Sequence, residues 1–230
     1  MTLVVIGICG GSASGKSTFS RSLADSLSDL EPEVINQDRY FRDWMDYPVD
    51  DRARVRTSNH PSAVVWDALV TNVENLRAGR TVEEPVSGTS AFAGQIAVRK
   101  IRPGPLLIVE GHLVFTHLAL RKLMDWKLYL DVDPHERVLR RMLRDTSRGN
   151  MTLEQATAWY RRDVIPNFEV HTAASRKYAD LVLPYDSRND TGCYLVSSGI
   201  RAIVSDRSVD TGERGDIRHS TQPRKRTPNG

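Results

Sequence analysis

Short, uninterrupted apolar runs punctuate the chain at residues 3–8, 106–109, 127–130 and 181–183, with a weaker run at 33–35. Strands buried on both faces read this way, because neither face needs polar residues. Between them, apolar positions recur at helical spacing over 17 to about 29, 63 to about 78, 135 to about 144 and 153 to about 178, the last interrupted by Pro166. The alternation predicts an α/β fold with a doubly wound, mostly parallel five-stranded sheet. Residues 80–102 break the rhythm, since β-prone TVEEPV and QIAVRKI flank SGTSAFAG. That stretch predicts a β-hairpin flap near the carboxyl edge of the sheet. From about Asp206 the periodicity gives way to Ser, Thr, Arg, Asp, Gly and Pro, ending in QPRKRTPNG. One domain over 1–205 and a disordered basic tail over 206–230 are expected.

Composition narrows the setting. A chain of 230 residues, 40% apolar, has enough material for one substantial core. Cys9 and Cys193 are far apart and lack neighbours at metal-ligand spacing, so neither a disulfide framework nor a zinc site is indicated and a reducing cytoplasm fits best. A strand beginning by residue 3, without a basic leader, and the absence of any membrane-length apolar run argue against secretion and membrane insertion. Net charge is only +3, yet arginine concentrates at 137, 140, 141, 144 and 148, and again at 161 and 162. Focused charge suits a small polyanion better than a nucleic-acid track. PRKR near the end reads as a solvated terminus, and without interleaved aromatics no nucleic-acid partner is expected.

The most specific chemistry lies between the first run and the first helix, where Gly10 to Ser17 read GGSASGKS. This is G-x-x-x-x-G-K-[ST], with Gly11, Ser12, Ala13 and Ser14 between its two glycines and Thr18 just beyond. Gly10 and Gly15 let backbone N–H groups turn inward on a phosphate chain, Lys16 reaches the terminal phosphates, and Ser17 ligates Mg²⁺. ATP or GTP binding follows, with the helix dipole beneath the phosphates.

Three further stretches follow predicted strands. Asn36-Gln37-Asp38-Arg39-Tyr40-Phe41 places Asp38 beyond a strand end, where it serves as a turn residue or accepts a proton from an attacking hydroxyl. Glu110-Gly111 ends another strand beside the loop and offers a carboxylate to Mg²⁺. Asp133-Pro134 caps the arginine helix, whose residues 137, 140, 141 and 144 share a face. With Arg148 in the following turn, 137–152 is expected to be a lid that carries guanidinium groups to the phosphates.

GGSASGKST, QDRYF, NHP at 59–61, IVEGHLVF, LRRMLRDTSRG and SRKYADLVLP follow one another as in the uridine/cytidine kinase family, a branch of P-loop kinases related to phosphoribulokinase, which the chain resembles over roughly 3–185. The resemblance implies Mg·ATP-dependent phosphorylation of a primary hydroxyl on a nucleoside-like acceptor. In its terms Asp38 is the base, Lys16 and Ser17 meet phosphate and metal, and Glu110 sits near Mg²⁺. Arg141, Arg144 and Arg148 belong to the lid, and Tyr40, Phe41, Asn59, His60 and Phe92 face the acceptor. The departures fall on the acceptor side. Asn59 replaces the family's Asp, Ser87-Gly88-Thr89 and Phe92 stand where the family reads a pyrimidine edge, and Asn150 stands for a lid arginine. An acceptor other than uridine is therefore expected, such as a nicotinamide riboside, a modified nucleoside or a sugar phosphate. Arg52, Arg54 and Arg56 either bind a phosphate on it or form a solvated edge. A noncatalytic nucleotide-binding regulator stays open, although Lys16 and Asp38 are both present. A homo-oligomer is compatible with this reading.

Overall fold

The computed structural model describes residues 3–44, 46–85, 98–147 and 151–216. Ser87, Gly88, Thr89, Phe92, Arg148, Asn150 and 217–230 lie outside the described residues.

Five strands make one all-parallel sheet: β1 (Val4–Gly10), β2 (Glu33–Asn36), β5 (Leu106–Glu110), β6 (Trp126–Asp131) and β7 (Leu181–Pro184). Their order is β2-β5-β1-β6-β7, which makes β1 the central strand and the point from which the chain winds both ways. The register aligns Asn36 with Glu110, and Ile8 with Glu110, so the carboxyl ends of β1, β2 and β5 finish together. In such sheets ligands sit beyond that edge.

Alternation along β1 feeds two cores. Val5 and Cys9 face one cluster with Val109, Phe115, Tyr129 and the apolar face of α3 (Trp66–Arg77). Val4, Ile6 and Ile8 face the other with Phe19 and Leu23 of α1 (Lys16–Ser26), and Val196, Ile200 and Val204 of α8 (Asp190–Asp216). Every residue of β1 is buried, which is why that run carries no polar position.

The flap root forms as expected: β3 (Val82–Pro85) and β4 (Val98–Ile101) pair antiparallel. Helices α2 (Val49–Val55) and α4 (Leu118–Lys122) join the sheet's connections, and α5 (Pro134–Ser147) carries the arginines. The expected single helix from 153 is instead α6 (Leu153–Trp159), a wide π turn over 160–164, the short α7 (Ile165–Asn167), a second π turn, and 3₁₀ structure to Tyr178. Helix α8 runs to Asp216, beyond position 206 where the sequence reading starts the tail. Among the described residues no helix is long and apolar enough to cross a membrane.

Candidate active site

Loop 11–15 links the end of β1 to the start of α1. Gly15 has φ +86°, in the left-handed region that a side chain would strain, and it turns the chain directly into the helix. No side chain caps α1, so its first N–H groups and positive dipole end stay available to an anion. The Lys16 side chain folds back, Nζ donating to the Gly11 carbonyl at 2.9 Å, and is only 9% exposed. Burial pushes its ammonium below the ordinary lysine range, while the Glu110 and Asp38 carboxylates pull it back up. Ser14 Oγ is buried in the loop without a hydrogen-bond partner.

Two carboxylates stand opposite. Glu110 Oε1 accepts from Ser17 Oγ and from Asn36 Nδ2, each at 2.8 Å. Burial raises the Glu110 carboxyl above its usual range, partly offset by the Lys16 charge and the Ser17 hydroxyl. Asp38 sits in the 3₁₀ turn after β2, its N–H donating to Asn36 Oδ1 at 2.7 Å, with its own carboxylate 58% exposed. His112 Nδ1 lies 3.8 Å from Asp38 Oδ1, and its Nε2 is 2.7 Å from the Ser58 carbonyl. Since a carbonyl only accepts, Nε2 carries the proton in that bond. Burial lowers the imidazole pKa to about 4 against the pull of Asp38.

Asp133 caps α5 as expected, Oδ1 accepting from the His135 and Glu136 N–H groups at 2.8 and 3.3 Å. The arginines then divide. Arg141 Nη1 donates to Ser12 Oγ of the loop at 2.6 Å, and Asp145 holds Arg141 at 2.5 Å and Arg144 at 3.1 Å. Arg137 is not among the residues that line the cleft: its guanidinium stacks 3.8 Å over the Phe168 ring and the residue is 4% exposed. Arg140 is tied to Glu136 at 2.7 Å and donates to the Tyr185 and Asp186 carbonyls.

A cleft of about 770 Å³ joins these parts. Lys16, Arg21, Arg140, Arg141 and Arg144 line it, against the carboxylates of Asp38 and Glu110. Ser12, Ala13, Gly15, Ser17, Thr18, Phe41 and Asn59 also border it, while Gly10, Gly11 and Ser14 form the loop behind. Two residues expected to face the acceptor do not. Tyr40 is a core residue, 1% exposed, its hydroxyl accepting from Asn72 Nδ2 at 2.9 Å. His60 lies outside the cleft lining, with Nδ1 2.8 Å from Ser62 Oγ and its ring edge-on to His171. The Tyr40 hydroxyl and His60 Nδ1 are each paired with a neighbouring group.

Asn59 reaches the cleft with its amide nitrogen committed, since Nδ2 donates to Asp163 Oδ2 at 2.6 Å. The buried Asp163 also accepts from the Ser58 N–H at 3.0 Å and from the Thr57 hydroxyl, fixing the loop that carries Asn59. Asp163, Asn36, Asp145 and His112 were not singled out from sequence. Asp145 stands four residues after Arg141, a spacing that pairs charges on a helix and offered a usable signal. Asp163 meets Asn59 across 104 positions and offered none. The assembled cleft is suited to a polyanion, to a hard cation between Ser17 and Glu110, and to proton acceptance at Asp38.

Comparison with known proteins bears on the family and the fold. Residues 5–192 match the model of the phosphoribulokinase / uridine kinase family. A uridine kinase of Limosilactobacillus reuteri is 33% identical over 201 residues, 87% of this chain and 92% of that protein. One from Geobacillus kaustophilus is 31% identical over 206 residues, 90% and 97% of the two chains. Among solved structures, a candidate fructose transport system kinase from Silicibacter sp. TM1040 superposes with TM-score 0.63 at 21% identity, covering 80% of this chain and 90% of that one. D-glycerate 3-kinase from Cryptococcus neoformans gives 0.59 at 12% identity, covering 81% and 88%. The structural likenesses establish the fold.

Proposed function

The chain belongs to the phosphoribulokinase / uridine kinase family, and we propose that it transfers the γ-phosphoryl group of ATP to a hydroxyl of a nucleoside-like acceptor with Mg²⁺. The observation that carries this reading is convergence: Lys16 and Ser17 after β1, Asp38 after β2 and Glu110 at the end of β5 border one cleft. Backbone N–H groups of loop 11–15 and the start of α1 hold the phosphates, with Lys16 on the terminal oxygens. Ser17 Oγ and Glu110 Oε1, 2.8 Å apart, form the hard oxygen pair that suits Mg²⁺. When bound, that ion neutralises charge on the phosphates.

Asp38 then accepts the proton of the attacking hydroxyl, since it is the carboxylate with its oxygens open to the cleft. Arg141 and Arg144 approach the phosphates from α5, and Arg141 already touches the loop through Ser12. Phe41 and Asn59 border the acceptor side.

A second reading, a non-pyrimidine acceptor, rests on Ser87, Gly88, Thr89 and Phe92, which stand where the family reads a pyrimidine edge; on the sugar side, Asn59 Nδ2 already donates to Asp163, and Oδ1 is left to accept from a hydroxyl. Coupled ADP release under saturating Mg·ATP tests both readings over uridine, cytidine, purine nucleosides, nicotinamide riboside and phosphorylated sugars. ADP release that requires one of these acceptors is expected, with uridine and cytidine about 100-fold below the best in kcat/KM. ADP formation indifferent to every acceptor contradicts the kinase reading. Uridine or cytidine as best acceptor by a wide margin contradicts only the second.

A further inference from the structure

Asn36 is the last residue of β2, directly in register with Glu110 on the neighbouring strand. Its backbone N–H and both ends of its amide are engaged in separate directions. Nδ2 donates to Glu110 Oε1 at 2.8 Å, and Oδ1 accepts the Asp38 N–H at 2.7 Å. The backbone N–H donates to Glu84 Oε1 at 3.3 Å. Glu84 is fully buried at the flap root between Arg39, at 2.6 Å, and Arg99, at 3.1 Å. Arg99 in turn donates to the Val34 carbonyl at 2.6 Å, so β4 is fastened to β2 two residues before Asn36.

A side chain here must accept from a turn N–H and donate to a carboxylate at once, and an amide of this length does both. Aspartate keeps the acceptor but puts a second negative charge beside Glu110. Leucine has the shape and neither function.

We propose that Asn36 is a positioning residue for both carboxylates of the site, its amide fixing Glu110 on one side and the Asp38 turn on the other so that the two hold one separation. This rests on the roles given above to Asp38 and Glu110. The two arms are distinct: the cap sets where the proton acceptor stands, and the Nδ2 bond sets which way Glu110 Oε1 faces relative to Ser17.

The test compares wild type, Asn36→Leu and Asn36→Asp in the full chain, by steady-state kinetics over an Mg²⁺ titration and by electron paramagnetic resonance of Mn²⁺ binding to the ADP complex. Asn36→Leu is expected to lower kcat by about 10- to 100-fold, with the KM for ATP changed little, and to weaken Mn²⁺ binding about 10-fold. Asn36→Asp restores the cap on Asp38, and its kcat at saturating metal is expected to recover above that of the leucine variant. Melting temperatures accompany each variant. Losses of kcat that follow the melting temperature, with Mn²⁺ binding unchanged, overturn the proposal, because a merely structural residue would behave so. If wild type shows no acceptor-dependent ADP release, the kinase reading fails, and the Mn²⁺ comparison alone decides the role of Asn36. Unchanged Mn²⁺ affinity in Asn36→Leu, or no Mn²⁺ binding by wild type, overturns it.

Discussion

Lys16 concentrates the residue-scale logic of the site. Its ammonium is nearly buried and held below its ordinary range by that burial, yet it lies within the field of two carboxylates, in the loop proposed to receive phosphate. Its bond to the Gly11 carbonyl is the kind of internal contact a cation exchanges for a stronger anionic partner. Lys16→Ala is expected to reduce turnover by about 100-fold or more, with circular dichroism and melting behaviour close to wild type. Near-normal turnover in ADP-release kinetics contradicts the role given to the loop. The sequence made Lys16, Ser17, Asp38 and Glu110 legible because each stands at a fixed distance from a strand end. Tyr40 was misread because its motif placed it one residue from the cleft while the hydroxyl pairs inward with Asn72.

At the scale of elements, β1 and β5 were legible because burial on both faces leaves a continuous apolar run, while β2 and β7, partly exposed at the sheet edges, left only short or weak runs. Helix α8 was not legible. Gly192, Gly199 and several serines lower its intrinsic propensity, and its apolar positions 196, 200 and 204 are sparse. Packing holds it instead: a Cβ at Gly199 would stand 2.8 Å from the Trp126 ring, so glycine permits the close approach. The stretch after Leu153 was read as one helix because periodicity does not register backbone geometry. Pro166 supplies no N–H for the bond back to residue 162, and the turns on either side open to π spacing.

Asp125 ties three such elements together, accepting from the Val5 N–H at 2.7 Å, from Arg77 of α3 at 2.7 Å and from Arg207 of α8 at 2.9 Å. Burial alone would raise its carboxyl, but those donors outweigh it and hold it below the ordinary range. A carboxylate so held stabilises the fold above its unfolded pKa, about 3.9, and the contribution is lost as pH falls through the lower folded value. Asp125→Asn is expected to destabilise the protein by about 2 kcal/mol at pH 7. Thermal melts between pH 7 and pH 2 are expected to show the gap between variant and wild type closing below about pH 4. A gap of constant size across that range contradicts the assignment.

In the whole molecule, β5 lies between β1 and β2, and Asp38 and the loop after β1 border one cleft across its carboxyl end. The parallel register then brings Asp38, Glu110 and Lys16 to one edge from sequence positions up to 94 apart. The acceptor side is built over still longer range, with Asp163 fixing Thr57, Ser58 and Asn59, and this is why it was the least legible part of the site. The loop proposed for phosphate is a contiguous motif, whereas the proposed acceptor side depends on which distant loops the fold brings together.

The central claim is that this convergence passes a phosphoryl group from ATP to a hydroxyl, with Asp38 taking the proton. The most direct measurement is transfer of label from [γ-³²P]ATP to the best acceptor of the panel, by wild type and by Asp38→Asn, with ATP affinity measured alongside. Asparagine preserves the size of Asp38 and removes its proton-accepting charge. Wild type is expected to place one label on the acceptor per ADP formed, and Asp38→Asn to do so about 100-fold more slowly with ATP affinity little changed. Label released as free phosphate by wild type, or an Asp38→Asn variant that labels the acceptor at the wild-type rate, contradicts the account.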